Sequence, residues 1–208
     1  MADADSTPLS PNPERPAPRA RNIVLVGFMG TGKTTLGKIA AKKAGFQFLD
    51  MDKEIEKRAG KPIPRIFAED GEDGFRTLET AVLVGLRDRD RHVIATGGGV
   101  VMRPENHSLL RDLGCVVWLH TKKRIIFERV TRNANRPLLQ TADPLATIRE
   151  LVELRKPFYK AVADAKVKTT HLNPNESVTG ILESASWFFS RHDQDKQGGH
   201  TSIGDQSA

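Results

Sequence analysis

The segment Gly27-Phe-Met-Gly-Thr-Gly-Lys-Thr34 constrains this chain more than any other stretch. It fits the spacing G-x-x-x-x-G-K-[ST], which joins a glycine-rich turn to a lysine and a hydroxyl. Without Cβ atoms at Gly27, Gly30 and Gly32, the backbone can curl around a polyphosphate and aim successive N–H groups at its oxygens. Lys33 adds a mobile positive charge for the β- and γ-phosphates, and the Thr34 hydroxyl is a hard oxygen suited to Mg²⁺. Just before the turn stands Asn22-Ile-Val-Leu-Val26, an apolar, β-branched run of the kind found in buried parallel strands. Just after it, Leu36, Ile39, Ala40 and Ala44 recur at helical spacing until Gly45 offers a stop. Strand, turn and helix N-terminus together let a helix dipole meet an anion, so the sequence predicts a nucleotide site.

A chain of 208 residues suits one α/β domain with tails. Five of its twelve prolines fall in the first twenty residues, among Ala, Ser and Asp. That composition predicts a disordered extension over 1–20, with no apolar run for a signal peptide. From Arg191 onward Gly, Gln, Asp, Ser and His dominate, which predicts a second disordered tail over 191–208 and a globular domain over 21–190. Each tail carries a net charge of −1, so the core holds +8. No Lys/Arg block is long enough for a nucleic-acid arm and aromatics are sparse, so the excess reads as steering for anionic small molecules. Cys115 is alone in an apolar run and reads as a buried thiol. The histidines lack metal-ligand spacing, and no segment has the apolar length of a membrane span. A cytoplasmic setting is the expectation.

Apolar runs at 22–26, 46–49, 92–95, 115–119 and 165–169 read as strands. Helical periodicity marks 33–44, 52–60, 63–70, 72–88, 104–112, 122–131, 145–163 and 176–190. This alternation predicts a three-layer α/β/α fold on a five-stranded parallel sheet, with ligands outside the carboxyl ends of the strands.

At those ends lie residues suited to chemistry. Asp50 and Asp52 are two apart, so in extended backbone they would face one place, where a cation or a hydroxylated ligand could sit between them. Alternatively, Asp52 caps the helix that follows it. Thr96-Gly-Gly-Gly99 ends the third strand with bare amides and room for a ligand to approach; a flexible hinge is the alternative, but the end of a buried strand is a poor place for one. Arg76 opens a helix and, alone, reads as a surface charge. Arg155 follows Ile148 and Val152 at helical spacing, which puts its guanidinium on the apolar side and calls for an anion there. Between two helices, 132–144 has no period of its own, and Arg136 within such a lid could swing onto the phosphates.

Together these segments closely resemble shikimate kinase, a small P-loop kinase related in fold to the nucleoside monophosphate kinases. The resemblance spans about residues 21–185. Beyond the glycine-rich loop it rests on Phe48-Leu-Asp-Met-Asp-Lys-Glu-Ile-Glu56, Phe75-Arg-Thr-Leu-Glu79, Thr96-Gly-Gly-Gly99, Asn135-Arg-Pro-Leu-Leu139 and Arg155-Lys-Pro-Phe-Tyr159. It implies a P-loop kinase fold with a mobile lid, and transfer of the ATP γ-phosphoryl group to the 3-hydroxyl of shikimate.

By matching position, Gly30, Thr31, Gly32, Lys33, Thr34, Thr35, Arg129, Arg136 and Pro174 would bind ATP. Arg76 and Arg155 would hold the shikimate carboxylate beside Gly97, Gly98 and Gly99, with Phe67 and Phe75 near the pocket. Asp52 would bind ring hydroxyls and act as base, while Lys33 and Arg136 complete the catalytic set. Mg²⁺ would be the cofactor, held by Thr34 and, through water, by Asp50. The resemblance further implies a monomer with ATP and shikimate as its partners, and neither nucleic acid nor membrane. One position departs from the family: Leu172 stands before Asn173-Pro174, where a basic residue is frequent. A gluconate or nucleotide kinase, or a silent nucleotide-binding module on the same fold, are the competing readings.

Overall fold

Alternate residues of the central strands serve opposite faces of one sheet, and both faces are apolar. In β2 (Asn22–Val26), Val24 and Val26 join one core cluster while Ile23 and Leu25 join another. In β5 (Gly114–His120), Val116 and Trp118 part from Cys115, Val117 and Leu119 in the same way. Such strands need helices on both sides. The computed structural model of the protein describes residues 6–8, 15, 17–131, 143–170 and 172–198.

The strand order is β1-β6-β5-β2-β4-β3, where β1 is Ser6–Pro8, β3 is Gln47–Asp50, β4 is His92–Ala95 and β6 is Ala165–Lys168. From β3 to β6 every pairing is parallel, giving the five expected strands with boundaries shifted by a residue or so. One face is covered by α2 (Met51–Ala59), α3 (Ile63–Gly85), α4 (Glu105–Leu113) and α6 (Pro144–Val162). The other is covered by α1 (Lys33–Ala44) and α7 (Pro174–Gly198). A third cluster ties Phe28 and Met29 of the glycine-rich loop to α5 (Lys123–Val130) and α6. Because β2 has β4 on one side and β5 on the other, the crevice between the diverging connections opens above the loop that leaves β2.

Helix signals in the sequence have direct counterparts. Gly45 closes α1 in the left-handed region at φ 65°, its N–H bonding back into the last turn. The expected break between 63–70 and 72–88 survives as Gly71, whose backbone (φ 71°, ψ −176°) kinks α3.

Part of each expected tail is ordered. Ser6–Pro8 forms β1, antiparallel to β6, and satisfies backbone groups that an edge strand would otherwise expose. Arg15 pairs with Asp164, donates to the carbonyls of Arg111 and Gly114 at 2.8 and 2.9 Å, and lies over the Phe188 ring. At the other end α7 continues to Gly198, past the boundary expected from polar composition, because 191–197 contains no helix breaker. Residues 199–208 lie outside the described residues.

Candidate active site

Gly32 sits at the N-cap of α1 with φ 97°, a conformation that favours glycine, so the helix starts where the loop finishes its turn. Lys33 donates from Nζ to the carbonyls of Gly27 and Phe28 at 2.7 and 3.0 Å, which folds its ammonium back over the loop. Thr31 is buried, its hydroxyl bonded to the Phe28 carbonyl at 2.8 Å. Thr34 and Thr35, in the first turn of α1, are exposed. Arg129 reaches the same loop from α5, donating to the Gly30 carbonyl at 3.0 Å.

The two aspartates divide their work differently from the extended-strand expectation. Asp50 is the N-cap of α2, and its Oδ1 accepts from the Asp52 N–H at 3.2 Å. Capping therefore falls to Asp50 and not to Asp52, because helical geometry begins at Met51. The other oxygen of Asp50 accepts from the Thr34 hydroxyl at 3.0 Å, placing two hard oxygen donors side by side next to the loop. Asp52, in the first turn, carries its carboxylate to Gly97: a Cβ added there would lie 3.2 Å from Asp52 Oδ1 and 2.6 Å from Glu79 Oε1.

The Gly97–Gly99 turn is built for close approach. None of its three glycines has a positive φ, so the residue type is set by crowding and not by backbone conformation. At Gly98 a Cβ would press on the Met29 amide of the phosphate loop at 3.2 Å; at Gly99 it would overlap the Arg76 guanidinium. A hinge would have open space around it, and this turn has none.

Arg76, read from sequence as a surface charge, is only 7 % exposed. It is held by Glu79 at 2.8 Å and Glu72 at 3.0 Å. Arg155 lies on the buried side of α6 as its spacing predicts, 5 % exposed, donating to the Gly98 carbonyl at 3.2 Å above the Phe28 ring. Phe67 and Phe75 stack with centroids 4.7 Å apart beside this region. Pro174 begins α7 next to a reciprocal cap, in which Asn173 and Glu176 each bind the other's backbone N–H at 2.8–2.9 Å. Arg136 and residues 132–142 of the expected lid lie outside the described residues.

Two residues join the site that spacing alone did not assign to it. Glu79 is fully buried; burial pushes its carboxyl above the ordinary value, Arg76 opposes that, and Asp52 adds to it. Tyr159 donates its hydroxyl to the Gly98 carbonyl at 2.5 Å. The signal for Glu79 was its place three residues after Arg76 on one helix face. For Tyr159 it was an aromatic one turn beyond Arg155.

The arrangement thus sets a phosphate-binding loop against a turn flanked by two buried arginines and two carboxylates. A family model for shikimate kinase matches residues 29–186. The shikimate kinase of Hahella chejuensis is 44% identical over 164 residues, covering 79% of this chain and 85% of that protein. The shikimate kinase of Pseudomonas entomophila is 48% identical over 163 residues, covering 78% and 95%. Among solved structures, shikimate kinase from Acinetobacter baumannii in complex with shikimate superposes with a TM-score of 0.73. It shares 40% identity and covers 85% of this chain and 96% of that one. A gluconokinase from Sinorhizobium meliloti shares the fold alone, at 17% identity and a TM-score of 0.50. The chain belongs to the shikimate kinase family.

Proposed function

We propose that the two buried arginines and Asp52 hold shikimate against the phosphate loop, so that its 3-hydroxyl takes the γ-phosphoryl group of ATP. The products are shikimate 3-phosphate and ADP, a step toward chorismate and the aromatic amino acids. The observation that carries the residue assignments is the convergence of Arg76, Arg155 and Asp52 on one turn, Gly97–Gly99, that itself touches the phosphate loop. A guanidinium below a tenth exposed is costly without an anion, and a small carboxylate fits the fork of Arg.

In this reading Arg76 and Arg155 bind the shikimate carboxylate beside the amides of the glycine turn. Asp52 accepts hydrogen bonds from the ring hydroxyls and takes the 3-hydroxyl proton as its oxygen bonds the γ-phosphorus and the β,γ-bridge breaks. Lys33 leaves the loop carbonyls for the phosphate oxygens, with Gly30, Thr31, Gly32, Thr34 and Thr35 supplying amides around them. Arg129 and Pro174 flank the adenine, and Arg136 neutralises the moving phosphoryl group. Thr34 directly and Asp50 through water fit Mg²⁺, since both offer hard oxygens 3.0 Å apart and Mg²⁺ keeps several waters. When bound with ATP, the ion supplies charge neutralisation on the phosphates. The enzyme acts as a monomer in the cytoplasm; the lone thiol, Cys115, is buried and pushed up to about 12, well away from thiolate chemistry.

Arg155→Ala tests the acceptor assignment: the KM for shikimate should rise by about tenfold or more, and Arg155→Lys should recover only part of the loss. An unchanged shikimate KM in Arg155→Ala would remove Arg155 from the acceptor site.

A further inference from the structure

The buried face of α6 carries one hydroxyl where a hydrocarbon would fill the space. Tyr159 is 2 % exposed, stacked on Trp118 at 5.8 Å and 22°, and Trp118 is covered in turn by the Lys166 ammonium at 4.5 Å. Phenylalanine would pack there without a buried polar group to satisfy. The hydroxyl meets the Gly98 carbonyl at 2.5 Å, and Arg155, one turn earlier, meets the same oxygen at 3.2 Å. Burial pushes the Tyr159 hydroxyl above its ordinary value, so it remains a donor at neutral pH.

Both acceptor positions of the Gly98 oxygen are thereby used from the α6 side. The peptide is trans and planar, so its N–H, which belongs to Gly99, must point the opposite way, away from α6. On Gly99 the guanidinium of Arg76 lies so close that a Cβ would overlap it. We infer that Tyr159 is a positioning residue for the acceptor. By fixing the Gly98 carbonyl it aims the Gly99 amide, so that amide and arginines together select a carboxylate-bearing acceptor. This inference rests on the reading of Arg76 and Arg155 as the carboxylate site.

The test compares Tyr159→Phe with Arg155→Ala, both checked for a wild-type circular dichroism spectrum. It uses shikimate and its analogue in which the carboxylate is reduced to a primary alcohol. In Tyr159→Phe the KM for shikimate should rise about three- to tenfold, the loss of one buried hydrogen bond, with kcat within about twofold and the ATP KM unmoved. For the alcohol, wild type and Tyr159→Phe should give equal kcat/KM. An equal loss on both acceptors would reduce Tyr159 to a packing residue and overturn the inference. A shikimate KM raised in Arg155→Ala but not in Tyr159→Phe would overturn it alone. No change in either variant would overturn the carboxylate site and this inference together.

Discussion

Arg76 donates to the fully buried carboxylate of Glu79 at 2.8 Å, three residues along the same helix. Among the described residues the second oxygen of that carboxylate has no hydrogen-bond partner, and it faces Gly97. Glu79 thus fixes the guanidinium at the Gly99 wall while leaving an acceptor pointed toward the turn.

Removing Glu79 should therefore cost both stability and acceptor binding. Glu79→Ala leaves Arg76 buried with the exposed Glu72 as its remaining ion-pair partner among the described residues, and urea unfolding should show a loss of about 3 kcal/mol. The shikimate KM should rise in parallel. Wild-type stability would mean that the pair is not what holds Arg76.

Lys33→Ala should lower kcat by about 10²–10³ through lost stabilisation of charge on the transferring phosphoryl group. A coupled assay of ADP release checks it. A near-normal rate would reject the role given to the ammonium that now lies on the Gly27 and Phe28 carbonyls.

Asp50→Asn should raise the Mg²⁺ concentration needed for half-maximal rate by about tenfold or more, since it alters the carboxylate bonded to Thr34. An asparagine still caps α2, so the melting temperature should hold. A Mg²⁺ titration identical to wild type would separate Asp50 from the ion.

His120 sets a pH dependence of stability. Folded, burial first and then Lys166, Lys156 and Lys168 hold its imidazole down at about 4, against the opposite pull of Glu153. Unfolded, it takes a proton near its ordinary value of 6.5. Between those values the unfolded chain binds more protons, so this stabilising contribution is present above 6.5 and is lost as pH falls toward 4. His120→Gln should flatten that part of the stability–pH curve in urea titrations; an unaltered slope would place its origin elsewhere.

Arg15→Ala should destabilise by about 3 kcal/mol, because it strips Asp164 of a buried partner, yet leave kcat and both KM values unchanged. Chemical denaturation alongside steady-state kinetics distinguishes this anchor from a residue of the site.

The sequence made legible whatever rests on local pattern. The phosphate loop, the five parallel strands, the Gly45 stop and the Gly71 break each follow from residue type and spacing over a few positions. Arg155 was placed on a buried face by its interval from Ile148 and Val152, and it lies there. Arg76 taken alone reads as a surface charge, because its burial depends on Gly99 and Glu79 meeting it in space, which no helical period encodes. The strand Ser6–Pro8 was illegible for a similar reason: three residues carry no period, and their order comes from the open edge of β6. The alternative of Asp52 as a cap is off by one step, since strand and helix meet between Asp50 and Met51 and the capping role goes to the last extended residue.

The most direct measurement is product identification after incubating the folded protein with shikimate, ATP and Mg²⁺, by mass and phosphorus NMR. A phosphate monoester on the 3-hydroxyl, with ADP in equal amount, is the expected result. Phosphate on a different hydroxyl, or ATP hydrolysis with shikimate left intact, would contradict the placement of Asp52 and the two arginines around the acceptor.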